Sequence, residues 1–140
     1  MKVIKFGGTS VANSNAIKSV FNIIKKNQDK TLIVVSALSG VTDNLSSMID
    51  LAVEGDNSYI KKLKYLKKRH VDLINESLDI KSQKKLIIFL HAKINEIKDL
   101  LTSIESLGES TNKSYSRILS YGEILSSSVI YEILKHNKLN

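Results

Sequence analysis

The sequence predicts an α/β fold in which one βαβ unit is followed by several long helices. Residues 3–6 (VIKF) and 31–36 (TLIVVS) are short, β-branched, nearly continuous apolar runs, as expected of strands in a parallel sheet covered on both faces. The segment between them, SNAIKSVFNIIKKNQDK, sets Ile17, Val20, Phe21 and Ile24 on one helical face and carries lysines in its last turn, where cations complement the helix dipole. Beyond residue 57 the apolar spacing is helical throughout.

Each element has its own signal. The first strand ends at Gly7 and Gly8, a pair that allows a tight turn and a close approach of the main chain. Asn13 or Ser14 can cap the helix that follows. After the second strand comes a polar loop at 36–42 (SALSGVT), a helix at about 43–53 and a break at 54–57 (EGDN). Further helices are expected at about 58–77, 81–107 and 112–136. In the second of these, Ile87, Leu90, Ile94, Ile97, Leu101 and Ile104 alternate spacings of three and four, a narrow seam that packs inside the domain. A length of 140 residues suits one domain. Two strands followed by several helices nevertheless make an unfinished α/β domain, because parallel sheets usually have more strands and helices on both faces. The chain reads as the first part of a larger domain.

Composition narrows the function classes. Hydrophobic content of 42% and charged content of 25% are those of a globular protein. The absence of cysteine excludes a disulfide framework and thiolate metal sites. The start MKVIKF has no signal-peptide core, and the longest apolar run, 32–38, is far too short to span a bilayer. A soluble, cytoplasmic protein without a membrane partner is expected. The net charge of +7 raises the possibility of nucleic-acid binding, most strongly at KKLKYLKKRH, residues 61–70. There Ile60, Leu63, Leu66 and Ile74 fall at helical spacing, which places most of the lysines on the opposite, solvated face. No recognised nucleic-acid motif accompanies them, so no nucleic-acid partner is expected. His70, His91 and His136 are isolated and read as surface or packing residues rather than metal ligands. The five tyrosines are spread over the helices and read as partly buried.

Chemistry is expected at two loops. A strand that ends in glycines and leads into a helix directs backbone N–H groups and a positive helix end into one small space, where anions bind. Thr9 and Ser10 add hydroxyl donors, and Lys5 can extend its ammonium over the same space. The pattern is neither the GxxxxGK[ST] of a P-loop nor the GxGxxG of dinucleotide-binding folds. In open α/β sheets ligands bind beyond the carboxyl ends of the strands, so FGGTS and SALSGVT are expected to line one crevice.

These residues carry a family resemblance. KFGGTSV, residues 5–11, resembles the signature of the aspartokinases, enzymes of the amino-acid kinase fold that phosphorylate the side-chain carboxylate of aspartate with ATP. VVSALSGVTDNL (34–45) and RILSYGEILSS (117–127) resemble that family's next two blocks, in the same order. The last block, preceded by SLGES, is also similar to bifunctional members that carry a homoserine dehydrogenase. The resemblance implies the N-terminal portion of an amino-acid-kinase-like α/β/α sandwich. It implies that Lys5 contacts phosphate, with Gly7, Gly8, Thr9 and Ser10 around the transferred group. It places Ser36 and Thr42 near aspartate and Glu123 at the substrate's amino group. ATP with Mg2+ is the implied cofactor, the metal riding on the nucleotide phosphates without a protein ligand.

Residues 1–140 are thus expected to be the N-terminal part of an aspartokinase catalytic domain, without its nucleotide-binding half or regulatory domains and inactive alone. The alternative is a non-catalytic helical interaction or nucleic-acid-binding protein derived from the same fold. An unfinished sheet leaves an edge and apolar faces uncovered, so a homo-oligomer is expected.

Overall fold

The structure, a computed structural model, describes residues 1–27 and 30–138. Two strands, β1 (Lys2–Phe6) and β2 (Thr31–Val35), pair in parallel with Lys2 opposite Thr31 and Phe6 opposite Val35. A single 3-10 turn at Gly8–Val11 leads to the crossover helix α1 (Ser14–Lys26). Asn13 starts that helix, its side chain accepting a hydrogen bond from Ala16 N at 2.9 Å. Lys25 and Lys26 occupy its last turn, as the sequence predicts. Residues 28 and 29 of the predicted crossover segment lie outside the described residues.

Four helices follow: α2 (Val41–Val53), α3 (Tyr59–Ser77), α4 (Ile80–Leu107) and α5 (Asn112–His136). Their bounds agree with the sequence reading to within two residues. The innermost is α2, whose Val41, Leu45, Met48, Ile49 and Ala52 are all buried. Helices α3, α4 and α5 pack around it, and α5 also reaches β2. Two buried tyrosines tie the bundle to α4. Tyr59 donates to Glu105 and Tyr121 to Glu96, each at 2.6 Å. Burying a phenol is tolerable when its hydroxyl finds such an acceptor.

Several expectations change. The α4 seam begins at Leu86, with Ile87 only partly buried. Leu86 to Ile104 covers eighteen residues in five steps, the period of a straight α-helix, whereas the alternating pattern read from Ile87 drifts off the buried face. On α3 the core position at the N-terminus is taken by Tyr59, and Ile60 is exposed. Tyr65 and Tyr131 are exposed rather than partly buried, whereas His70 lies fully in the core. The strands are not covered on both faces. Ile4, Phe6, Ile33 and Val35 face the helices, but Val3, Leu32 and Val34 are 59%, 52% and 40% exposed. Among the described residues no element lies over that second face, so the strands alternate in exposure although their sequences do not alternate in polarity. No helix of the described chain is long and apolar enough to cross a membrane.

Candidate functional site

Because β1 and β2 are parallel, the loops that leave Phe6 and Val35 emerge at the same end of the pair. Pairing continues one rung further, with Ser36 N donating to Phe6 O at 3.1 Å. The loops then touch: Ser39 N donates to Gly8 O at 3.2 Å. A Cβ on residue 8 would sit 2.8 Å from Ala37 O, while one on residue 7 would meet nothing within 4 Å. The two glycines therefore do different things. Gly8 lets the loops close on each other, and Gly7 leaves an open approach to the main chain.

The positive helix end at this site differs from the one expected. The start of α1 is set back behind the 3-10 turn and is capped by Asn13. The start of α2 has no side-chain cap, since its N-cap is Gly40, held at φ +76, a conformation other residues adopt at a cost. Val41 N donates to Leu38 O and Asn44 N to Gly40 O, which leaves the N–H groups of Thr42 and Asp43 in the first turn directed outward. The opening N–H groups of the 3-10 turn, those of Gly8 and Thr9, are similarly without partners inside their own turn. Thr9 is exposed and Ser10 half-buried. The anion-favouring dipole is thus that of α2, with Thr42 at its mouth.

Lys5 stands on the uncovered face of β1, opposite Val34, and is exposed. Among the described residues it forms no ion pair. The third sequence block arrives on α5. Gly122 is buried so close to the second loop that a Cβ there would lie 2.8 Å from the Ala37 side chain. The neighbouring Glu123 is exposed and accepts a long hydrogen bond, 3.4 Å, from Ala37 N through Oε1. One turn on, the buried Ser126 donates to Ser36 O at 2.7 Å. Gly8, Ser36 and Glu123 are therefore brought together around Ala37. Thr42 lies in the first turn of α2, which the second loop enters, and Lys5 lies on the adjoining strand.

Sequence reasoning missed Arg69. It belongs to the stretch read as a solvated face, and the neighbouring Lys61, Lys64 and Lys68 are indeed exposed. Arg69 instead turns inward, donating from Nη1 to Ser39 O and from Nη2 to Ala12 O at 3.4 Å. A signal was present: it is one of only two arginines among 21 cationic side chains, and arginine suits positions where a planar fork must meet two acceptors. Ala37 and Ser126 carry no such signal, because their part lies in shape and in a single hydroxyl.

Among the described residues no group of three His, Asp or Glu side chains comes together to hold a metal ion. A groove of about 360 Å³ between α4 and α5, lined by Leu86, Phe89, Ser128 and Tyr131 among others, contains none of the predicted site residues.

The arrangement can be set beside known proteins. The chain is 31% identical over 139 residues to a chloroplastic bifunctional aspartokinase/homoserine dehydrogenase 1 of Arabidopsis thaliana, covering 99% of this chain and 15% of that one. It is 31% identical over 137 residues to an aspartokinase of Chlamydia muridarum, 98% of this chain and 28% of the relative. In fold it matches aspartokinase III of E. coli in complex with lysine and aspartate, with a TM-score of 0.87 and 22% identity over all of this chain and 30% of that one. The same enzyme in complex with aspartate and ADP matches equally well, again with a TM-score of 0.87. The chain thus spans less than a third of the length of each of these proteins. The model of the amino acid kinase family matches residues 1–140, the whole length on which the loops and α5 converge, and the chain belongs to that family.

Proposed function

We propose that these residues form the substrate-side wall of an aspartokinase active site. The reaction is ATP-dependent phosphorylation of the aspartate side-chain carboxylate to 4-phospho-aspartate, on the route to lysine, threonine and methionine. A carboxylate oxygen of aspartate attacks the γ-phosphorus, and the bond from that phosphorus to the ADP oxygen breaks. The observation that carries this reading is the meeting of Gly8, Ser36 and Glu123 at Ala37, which joins all three aspartokinase-like blocks in one place.

Phosphoryl transfer depends mainly on positioning and on stabilising charge at the equatorial oxygens. The exposed Lys5, the N–H groups of Gly7, Gly8 and Thr9, and the hydroxyls of Thr9 and Ser10 supply that charge complement. The uncapped start of α2, with Thr42, and the neighbouring Ser36 favour the carboxylates of aspartate. Glu123 Oε2 makes no hydrogen bond among the described residues and suits the substrate's ammonium group. Magnesium would ride on the nucleotide phosphates and spread their charge when ATP is bound. Aspartokinase III of E. coli, which this chain matches in fold, is seen in complex with aspartate and ADP, which supports these ligands for the present chain.

The test is to supply ATP, magnesium and aspartate and trap the acyl phosphate with hydroxylamine. The 140 residues alone are expected to give no aspartyl hydroxamate, and the same residues joined to the remaining length of an aspartokinase are expected to form it. In that longer protein Lys5→Ala should lower kcat by roughly 100-fold to 1,000-fold, the range for loss of one charge-stabilising group. Product from the 140 residues alone, or unchanged turnover in K5A, overturns the corresponding assignment. The uncovered sheet face further leads us to propose self-association of the isolated chain.

A further inference from the structure

We propose that Arg69 is a positioning residue that staples the two site loops together from behind. Its guanidinium spans from Ser39 O in the second loop to Ala12 O at the end of the first. Ser39 is also the residue whose N–H reaches Gly8 O. One residue is thus held through both of its peptide groups: its N–H by the first loop, its carbonyl by α3. The next residue is Gly40, whose left-handed conformation turns the chain into α2. Fixing the Ser39 carbonyl therefore fixes the direction in which α2 starts and where its unpartnered N–H groups point.

Both hydrogen bonds of Arg69 go to main-chain carbonyls, so its charge is not consumed by a carboxylate and adds to the positive field of the site. Geometry, however, is what a lysine could not reproduce. An ammonium is a single point from which donors radiate, whereas the guanidinium carries two parallel-facing amino groups on a rigid plane. Lys67 and Lys68, the preceding residues on the same helix, are partly buried and exposed respectively, and Lys68 pairs with Asp72 on its own helix. The inward role is specific to position 69.

The inference rests on the reading of these loops as the aspartokinase substrate site, but its test separates the two. The full 140-residue chain is prepared with 15N labelling as wild type, Arg69→Met, Arg69→Lys and, as a charge control, Lys68→Met. Methionine keeps the aliphatic stem and so preserves packing. Amide hydrogen exchange is read at Ser39 and at core amides of α4 and α5, and chemical shifts of Gly8, Ser39 and Thr42 are followed while L-aspartate is added. Both Arg69 variants should exchange Ser39 N–H on the order of tenfold faster relative to the core amides, as expected when a charge-assisted hydrogen bond is lost locally. K68M should leave that ratio unchanged. A wild-type Ser39 ratio in R69M, or its full restoration in R69K, overturns the staple. Faster exchange in both variants with no aspartate-dependent shift in the wild-type chain upholds the staple and counts against the substrate reading instead.

Discussion

Gly122 sits where any side chain would press on Ala37, 2.8 Å from its methyl group. Alanine at a mid-helix glycine normally gains about 1 kcal/mol of helix propensity. Here the steric conflict outweighs that gain, so Gly122→Ala is expected to lower stability by about 1–3 kcal/mol, as overpacking of a tight contact does. Denaturant unfolding would check this, and adding Ala37→Gly should recover most of the loss; a double variant no more stable than G122A would refute the contact as its cause. Individual residues differed in how far the sequence disclosed them. The sequence brings out Lys5, Gly7, Gly8 and Glu123 as candidates because their spacing repeats a family pattern. The division of labour within the glycine pair was not legible, since only the fold shows that position 8 faces a carbonyl and position 7 faces open space. Arg69 stayed hidden because a run of lysines at helical spacing is dominated by its solvated members, and one inward member does not disturb the pattern.

At the scale of the element, α3 carries the least expected side chain. His70 is wholly buried, with Nδ1 2.9 Å from Leu66 O and Nε2 without a partner. A carbonyl only accepts, so Nδ1 bears a proton, and burial with no partner at Nε2 favours the neutral ring. Burial pushes its pKa below the ordinary 6.5; the bond to Leu66 opposes this and the neighbouring Arg69 charge reinforces it. Below pH 6.5 the unfolded chain takes up a proton that the folded chain resists. Stability is therefore fully present above pH 6.5 and falls as the pH drops through the window down to the lowered folded value, by at most about 1.4 kcal/mol per pH unit. Asp79 and Glu96, held below their usual range by Ser82 and Lys93 respectively, act only at more acid pH. Thermal unfolding between pH 7 and pH 5 should show a decline that His70→Leu abolishes; an equal decline in that variant would remove His70 as the cause. The helix itself was plain in the sequence, as were the bounds of its neighbours, because apolar spacing and caps are local signals. Which residue begins each buried stripe was not. Tyr59 displaces Ile60 because Glu105, 46 positions away, receives its hydroxyl.

For the molecule as a whole, the decisive feature is a parallel strand pair with one face that no described element covers. Val3, Leu32 and Val34 make a contiguous apolar strip beside Lys5, and parallel sheets are ordinarily sheltered on both sides. The isolated chain is expected to self-associate through this strip. Leu32→Lys should shift the population toward monomer with little loss of stability, because the replaced side chain already faces solvent. Light scattering across a concentration series would decide it, and a wild-type chain that stays monomeric at high concentration would disprove the expectation. The α/β class was legible from two apolar runs and a glycine turn. The bare face was not, because an apolar run predicts that cover is wanted and says nothing about which chain supplies it.

The hydrogen bonds that assemble the site join residues far apart in the chain. Glu123 to Ala37 spans 86 positions, Ser126 to Ser36 spans 90 and Arg69 to Ala12 spans 57. The helical bundle, by contrast, is built largely from helices that follow one another directly. Long loops must close before distant pairings are rewarded, so the order of events during refolding should run from the bundle outward. Helices α2 to α5 gain their protection first, and the junction at Ala37 closes last. Pulsed hydrogen exchange would then find the Ala37 and Ser39 amides labelled after those of α4 are already shielded, and simultaneous protection would show that the site is part of the folding nucleus instead.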